Sequence, residues 1–224
     1  MIKKRNDKIK LIIFDLDGTA LDTDLYVVLN HVHLCEKYLD GKIFPLSTLV
    51  QFSGPALADT FDEYYPNIDK KALTDDFRDF SLKYTCKYSR LYDHEIEVLE
   101  KLKEAGYYLE ILTTKKKEPT GIVLHHFGLD KYFSMAVSLE DVNKIKPDPE
   151  GVYKIMEHFK VNSDEVAIIG DSLTDYLAGK NANIMTLFTT WGLKKVPENI
   201  KPDYFVNTYK DIEEVFLDEW KECN

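Results

Sequence analysis

The feature that most constrains the fold is an apolar run that ends in two closely spaced carboxylates. Leu11-Ile12-Ile13-Phe14 has the composition of a strand buried on both faces, and Asp15-Leu16-Asp17-Gly18-Thr19 follows it directly. Open α/β sheets bind ligands at the carboxyl ends of their strands. Two carboxylates at such an edge favour a bound cation. The alternative is an acidic turn that uses Asp-Gly only for its geometry.

Length, charge and cysteine content limit the class of protein. The 224 residues suffice for one large domain, or for a main domain that carries a smaller insertion. A net charge of −10 argues against sequence-independent binding of nucleic acid, which requires a basic face. The apolar runs are too short for a membrane span, and Asp15 interrupts the first of them too early for a signal peptide. Cys35, Cys86 and Cys223 are too far apart for a disulfide framework or a clustered zinc site, so we expect a cytoplasmic protein.

The order of the elements predicts an α/β fold with a helical insertion. Residues 22–92 show helical spacing, polar breaks and many aromatic residues, but no strand-like apolar block. Later in the chain, apolar runs alternate with amphipathic segments, as in a parallel sheet with right-handed crossovers. We therefore expect a doubly wound parallel sheet from residues 1–21 and 93–224. Strands are predicted at 11–14, 108–113, 135–138, 165–169, 184–188 and 204–206, and core helices at 94–105, 119–127, 149–159, 173–181 and 209–220.

Three further polar stretches follow later strands, and a doubly wound sheet would bring them to the edge that holds Asp15. Thr113-Thr114 offers hydroxyls to a phosphate oxygen, and Lys146 offers a compact positive charge. Asp171 and Asp175 stand four residues apart at a helix start, where Asp171 could meet a metal and Asp175 could support the metal or Lys146. Each stretch alone also has a structural explanation: a capping threonine, a solvated lysine or a helix N-cap.

Taken in order, these stretches resemble the four motifs of the haloacid dehalogenase superfamily. The matching residues are Asp15-x-Asp17-Gly18-Thr19, Thr113, Lys146-Pro147 and Gly170-Asp171-Ser172-x-x-Asp175. The resemblance implies a Rossmann-like core, with residues 22–92 forming that family's small α-helical cap. The sequence is most similar to phosphoglycolate phosphatases and related bacterial pyrophosphatases, a likeness that includes Ser53-Gly54-Pro55 and Trp191-Gly192.

The resemblance also implies catalytic and substrate-binding roles. Asp15 would attack phosphorus and form an aspartyl-phosphate, which divides one difficult displacement into two easier ones. Asp17 would protonate the leaving oxygen and then activate water. Thr113 and Lys146 would hold the phosphate oxygens and offset their charge. The expected substrate-binding residues are Thr113, Thr114, Lys146 and Gly54.

Magnesium is the cofactor that the resemblance implies. Its expected ligands are Asp15, the backbone carbonyl of Asp17, and Asp171, and several waters would complete the coordination that this hard ion prefers. Asp175 would orient Lys146 or a metal-bound water.

The leading functional hypothesis is a Mg²⁺-dependent phosphohydrolase that acts on a small phosphorylated metabolite, such as a phosphoglycolate-like monoester, or on pyrophosphate. One alternative is a phosphosugar mutase, because β-phosphoglucomutases share the cap and the motifs. Another is a non-catalytic relative that binds a phosphorylated ligand, although intact Asp15, Asp17, Lys146 and Asp171 argue against it. We expect neither nucleic acid nor a membrane as a partner.

Two further groups of residues could be mistaken for ligand-binding sites. His31 and His33 would point in different directions on a helix, so they would form a poor metal pair. Lys115-Lys116-Lys117 lies beside the predicted site, where it could steer an anionic substrate or form a solvated loop.

Overall fold

Strands and helices alternate along most of the chain. The structure is a computed structural model that describes residues 3–4, 8–53 and 56–218. Its strands are β1 (Lys3–Lys4), β2 (Leu11–Phe14), β3 (Tyr108–Leu112), β4 (Ala136–Val137), β5 (Val166–Gly170), β6 (Met185–Thr189), β7 (Tyr204–Val206) and β8 (Leu217–Asp218). Its α-helices are α1 (Asp24–Tyr38), α2 (Leu46–Leu49), α3 (Leu57–Tyr64), α4 (Lys70–Tyr88), α5 (Glu95–Glu104), α6 (Lys117–His126), α7 (Glu150–Phe159), α8 (Leu173–Asn181) and α9 (Tyr209–Phe216). In the described ranges, none of these helices is both long and apolar enough to cross a membrane.

Six of the strands form one parallel sheet, which confirms the predicted fold class. Their order is β4-β3-β2-β5-β6-β7, and every pairing between neighbours is parallel. From β2 the chain first adds strands on one side of the sheet and later returns to add β5 on the other. Strand β2 is therefore the switch point, the place where α/β sheets bind ligands beyond the carboxyl ends of their strands.

The sheet is buried on both faces, which explains the uninterrupted apolar character of β2. Side chains alternate between the two faces of a strand. Ile12 and Phe14 pack into a core that includes residues of α5 and α9, whereas Leu11 and Ile13 face a second core formed with α7 and α8. All four side chains of β2 are buried and apolar, and the polar sequence begins where the strand ends.

The last predicted helix is too long. Residues 209–220 were expected to be helical, but α9 ends at Phe216 and the chain continues as β8. This strand pairs antiparallel with β1, an additional two-stranded sheet that the apolar patterning did not predict. Tertiary pairing therefore overrides the helical spacing at 217–218. Residues 219–220, like Cys223, lie outside the described part of the chain.

Residues 22–92, called here the helical segment, contain helices α1 to α4. No strand occurs among the described residues of this segment, as predicted. Its helices pack around two clusters of their own, one that includes Leu34 and Phe61 and one that includes Tyr26 and Phe52. The chain leaves and re-enters the core where Asp22 and Arg90 exchange two backbone hydrogen bonds of 2.9 and 3.1 Å. Its function as a cap domain stays a prediction.

Candidate active site

Asp15 stands immediately beyond β2, between the ends of β3 and β5. Its side chain is buried, and its backbone N–H donates to the carbonyl of Ile169 at 2.9 Å. The chain then turns at Gly18, which has a φ of +86°. A Cβ at this position would overlap the Asp171 carboxylate, so the close approach of two motifs requires glycine there.

Lys146 joins three parts of the predicted site. Its Nζ lies 2.8 Å from Asp15 Oδ1, 2.6 Å from Asp175 Oδ1 and 2.8 Å from the carbonyl oxygen of Leu112, to which it donates. Only 3% of the side chain is exposed, so Lys146 is not a solvated loop lysine. The other oxygen of Asp175 accepts hydrogen bonds from the backbone and hydroxyl of Ser172, the N-cap of α8. Asp175 is thereby fixed while it holds the ammonium.

Asp171 is the third buried carboxylate, and it follows β5. Lys194 forms an ion pair with its Oδ2, whereas Oδ1 has no hydrogen-bond partner among the described residues. Asp15, Asp171 and Asp175 each offer one oxygen, and these three atoms lie within 4.8 Å of one another. Clustered carboxylate oxygens are the donors that hard divalent cations prefer. The acidic cluster therefore has the donor chemistry for such an ion.

Burial and mutual repulsion oppose ionisation of these acids. Burial, with a further contribution from Asp175, raises the pKa of Asp15 to about 7, although Lys146 opposes the shift. Burial raises the pKa of Asp171 to about 6, against the effect of Lys194. Burial alone would lower the pKa of Lys146, but the charges of Asp15 and Asp175 raise it above its usual value. Three acids against two lysines leave an excess of negative charge that a bound cation would offset.

Asp17 lies outside the acidic cluster and pairs with a different lysine. Lys115 Nζ is 3.0 and 3.1 Å from the two carboxylate oxygens of Asp17, and it lies 5.4 Å from the ring centroid of Tyr26. The Lys115 side chain is only 11% exposed, against 73% for Lys117. The solvated-loop interpretation is therefore wrong for Lys115, and Lys117 is exposed to solvent but is the first residue of α6.

The two predicted threonines follow β3 at the same edge of the sheet. Thr113 is buried, and its hydroxyl accepts a hydrogen bond of 3.1 Å from the backbone N–H of Lys115. Thr114 is half-buried and lines a neighbouring cavity. Gly54 lies outside the described residues. The structure thus brings the predicted site residues together, apart from Gly54, and their individual roles stay predictions.

The loop after β6 contributes Trp191, which the sequence marked only as part of the family likeness, and Leu193 and Lys194, which sequence reasoning missed. Trp191 Nε1 donates to the carbonyl oxygen of Gly18 at 3.0 Å, and Lys194 reaches Asp171. The backbone N–H of Leu193 donates to Asp24 Oδ2 at 2.8 Å. The available signal was position, because residues that follow a strand next to β5 must emerge at the same edge as Asp171.

A cavity of about 500 Å³ adjoins this site between the helical segment and the start of α6. Tyr26, Phe77 and Leu82 line it from the helical segment. Lys115 lines it from the core, and the same ammonium contacts Asp17. Most of the lining is apolar. Lys115 is thus part of both the cavity lining and the contact with Asp17.

His31 and His33 lie on helix α1 and make separate contacts. His31 is buried inside the helical segment with Nδ1 3.2 Å from the Tyr65 hydroxyl, and His33 stacks on Phe80. Among the residues that the structure describes, Asp15, Asp171 and Asp175 are the one group with metal-binding geometry.

Comparison with known proteins agrees with this geometry. Residues 12–189 match the family model described as haloacid dehalogenase-like hydrolase. The chain is 31% identical over 215 residues to pyrophosphatase PpaX of Listeria innocua, covering 95% of this chain and 98% of the relative. It resembles a crystal structure of a predicted phosphoglycolate phosphatase from Haemophilus somnus, with a TM-score of 0.80, 25% identity and coverage of 93% and 98% of the two chains.

A crystal structure of a predicted phosphatase from Clostridium acetobutylicum is similar to the same degree. Its TM-score is 0.80 at 28% identity, and the match covers 92% of this chain and 97% of that one. Family model, relative and structures all span the motifs from Asp15 to Asp175. The chain belongs to the haloacid dehalogenase-like hydrolase family.

Proposed function

We propose that this chain is a Mg²⁺-dependent phosphohydrolase that cleaves a small phosphate monoester or pyrophosphate through an aspartyl-phosphate intermediate. The observation that carries the proposal is the convergence of Asp15, Asp17, Lys146 and Asp171 at the switch point of the sheet. The names of the relatives, a pyrophosphatase and a phosphoglycolate phosphatase, support the two substrate classes.

In the proposed reaction the carboxylate of Asp15 attacks phosphorus. Lys146, which already contacts Asp15, would hold the incoming phosphate together with the Thr113 hydroxyl. Asp17 would give a proton to the leaving oxygen and later take one from the water that cleaves the acyl-phosphate. Lys115 contacts both oxygens of Asp17 and would keep this side chain in place between the two steps.

Asp15, Asp171 and, as a predicted ligand, the backbone carbonyl of Asp17 would hold Mg²⁺. Asp171 Oδ1, which is buried and has no hydrogen-bond partner among the described residues, fits this role, because buried polar atoms normally have a partner. The cation would supply positive charge that lets an anionic phosphate approach an anionic nucleophile. Asp175 offers an oxygen to the same cluster but is already engaged by Lys146 and Ser172, so its proposed role is to orient Lys146.

The helical segment would act as the cap of the site, over a core formed by residues 1–21 and 93–224. Tyr26, Phe77 and Leu82 of this segment line the apolar cavity on the side opposite the start of α6. Such a lining suits the organic part of a phosphate monoester better than pyrophosphate, which has no apolar surface to bury. The cavity therefore favours the monoester of the two substrate classes. A cytoplasmic location belongs to the same proposal.

Phosphate release from purified protein tests the proposal. An aryl phosphate, phosphoglycolate and pyrophosphate should be compared with Mg²⁺ and with EDTA. We expect Mg²⁺-dependent turnover, reduced by about three orders of magnitude or more in Asp15→Asn because the nucleophile is lost. Asp164→Asn, the same chemical change at an exposed residue, should leave turnover unchanged.

Several results would overturn the proposal. Turnover without a divalent cation, or full turnover in Asp15→Asn, contradicts the mechanism. Interconversion of sugar phosphates without phosphate release would favour the mutase. Ligand binding without hydrolysis across the panel would favour a non-catalytic phospholigand-binding protein.

A further inference from the structure

The loop after β6 places a buried ammonium on one of the proposed metal ligands. Lys194 forms an ion pair with Asp171 Oδ2, and only 7% of the lysine side chain is exposed. Among the described residues, Asp171 has no other salt-bridge partner. The backbone is also close, because a Cβ on Gly192 would lie 3.9 Å from the same oxygen. Lys194 therefore sits inside the acidic cluster rather than at its rim.

The same ammonium also contacts the helical segment. Lys194 Nζ donates to the carbonyl oxygen of Ser53 at 3.2 Å. The neighbouring N–H of Leu193 donates to Asp24 Oδ2 at 2.8 Å. The loop thus links a core carboxylate to two points of the helical segment, and Lys194 is the residue that contacts both sides.

We propose that Lys194 stands in for the divalent cation in the metal-free protein, so that metal binding must displace its ammonium from Asp171. This inference rests on the proposed function only in taking a divalent cation as the ligand of the acidic cluster. The ammonium and a metal ion would compete for the same carboxylate, and two cations in contact within a buried site repel strongly. Displacement would also break the bond from Lys194 to Ser53, which couples metal binding to the contact between loop and helical segment.

The charge balance of the metal-free site explains why a lysine at this position is stabilising. Without Lys194, the acids Asp15, Asp171 and Asp175 would have Lys146 alone as a buried counter-charge. Uncompensated buried carboxylates destabilise a fold. A lysine side chain that can move away would keep the empty site stable until a divalent cation binds.

Isothermal titration calorimetry with Mg²⁺, without substrate, tests the competition. We expect Lys194→Met to bind Mg²⁺ at least about tenfold more tightly than the wild type, since no cation has to be displaced. Lys195→Met removes the same charge from the adjacent, exposed position and should leave the affinity unchanged. Equal or weaker binding by Lys194→Met would overturn the inference.

Chemical labelling of the wild-type protein provides a measurement that needs no substitution. The acetylation rate of Lys194, followed by mass spectrometry, should rise several-fold when Mg²⁺ is added, while that of Lys195 stays constant. An unchanged or reduced rate at Lys194 would show that the ammonium remains in place and would overturn the inference.

The two proposals can fail separately. If Mg²⁺ binds and supports phosphate release but neither experiment shows displacement, the inference about Lys194 fails and the proposed function stands. If neither the wild type nor the Lys194→Met variant binds Mg²⁺, both the proposed metal and the proposed role of Lys194 are wrong.

Discussion

Replacing Lys146 with methionine would leave two buried carboxylates without their counter-charge. The ammonium lies 2.8 Å from Asp15 and 2.6 Å from Asp175, and all three side chains are almost fully buried. Removing one partner of a buried ion pair costs about 3–5 kcal/mol, because the remaining charge has neither water nor a partner. For a chain of this size we expect the melting temperature to fall by roughly 6–20 °C.

The pH dependence of the lost stability shows whether the missing positive charge is its cause. Lys146 acts to lower the pKa of Asp15, so its removal raises that pKa above about 7. A buried acid with a raised pKa destabilises the fold when it ionises, and the penalty disappears as the pH falls and the acid accepts a proton. The free energy of unfolding of Lys146→Met should therefore lie furthest below that of the wild type at pH 8, and clearly less far below it at pH 5.

Urea unfolding at pH 5 and pH 8, in EDTA so that no metal replaces the lost charge, measures both effects. Lys144→Met is the matched control, because Lys144 is exposed and its pair with Asp148 is long, at 3.6 Å. We expect that control to cost no more than about 1 kcal/mol at either pH. A deficit for Lys146→Met that is equally large at both pH values, or no larger than that of the control, would refute the electrostatic explanation.

Three further predictions concern other parts of the core. Burial raises the pKa of Glu95 to about 8 from an ordinary 4.5, so the folded state keeps a proton that the unfolded state has lost. The free energy of unfolding should therefore fall between pH 4.5 and 8, by up to about 1.4 kcal/mol per pH unit. Urea unfolding should show this fall to be absent in Glu95→Gln, and an unchanged slope would contradict the assignment. Gly18→Ala should lower both the melting temperature and phosphate release, because its backbone is left-handed and its Cβ would overlap Asp171. In contrast, Gly121→Ala, in α6 with open space around it, should raise the unfolding free energy by up to about 1 kcal/mol, and equal effects would refute the steric argument. Mg²⁺ at a hundred times its Kd should stabilise the wild type by about 2.7 kcal/mol in a thermal melt, and Asp171→Asn should lose most of this gain. If Mg²⁺ stabilised Asp171→Asn as much as the wild type, Asp171 would not be a ligand of the metal.

Most strands of the core could be predicted because they are short, mainly apolar blocks between polar boundaries. β2 begins and ends where its pattern predicts, and β7 matches its three-residue prediction. Helix α9 was predicted to continue through 217–218, which instead form β8, since helical spacing carries no information about pairing with β1. Local sequence patterns predict which residues are buried, but they do not predict which distant segment of the chain packs or pairs against them.

The sequence by itself determined where most of the site would form. Asp15, Thr113, Lys146 and Asp171 each follow a strand or precede a helix start, and a parallel sheet must bring such positions to one edge. Their geometry confirms this expectation, with Lys146 in contact with Asp15 and with Asp175.

Only the tertiary structure decided which lysine meets which acid. Lys115, Lys116 and Lys117 are equivalent as a sequence run, yet the fold buries Lys115 against Asp17 and leaves Lys117 in solvent. Lys194 carries no local signal at all, and it becomes part of the site because its loop leaves a strand next to β5. The physical reason is that the energy of a charge depends on its burial and on its nearest opposite charge, and both are set by contacts between residues far apart in the chain.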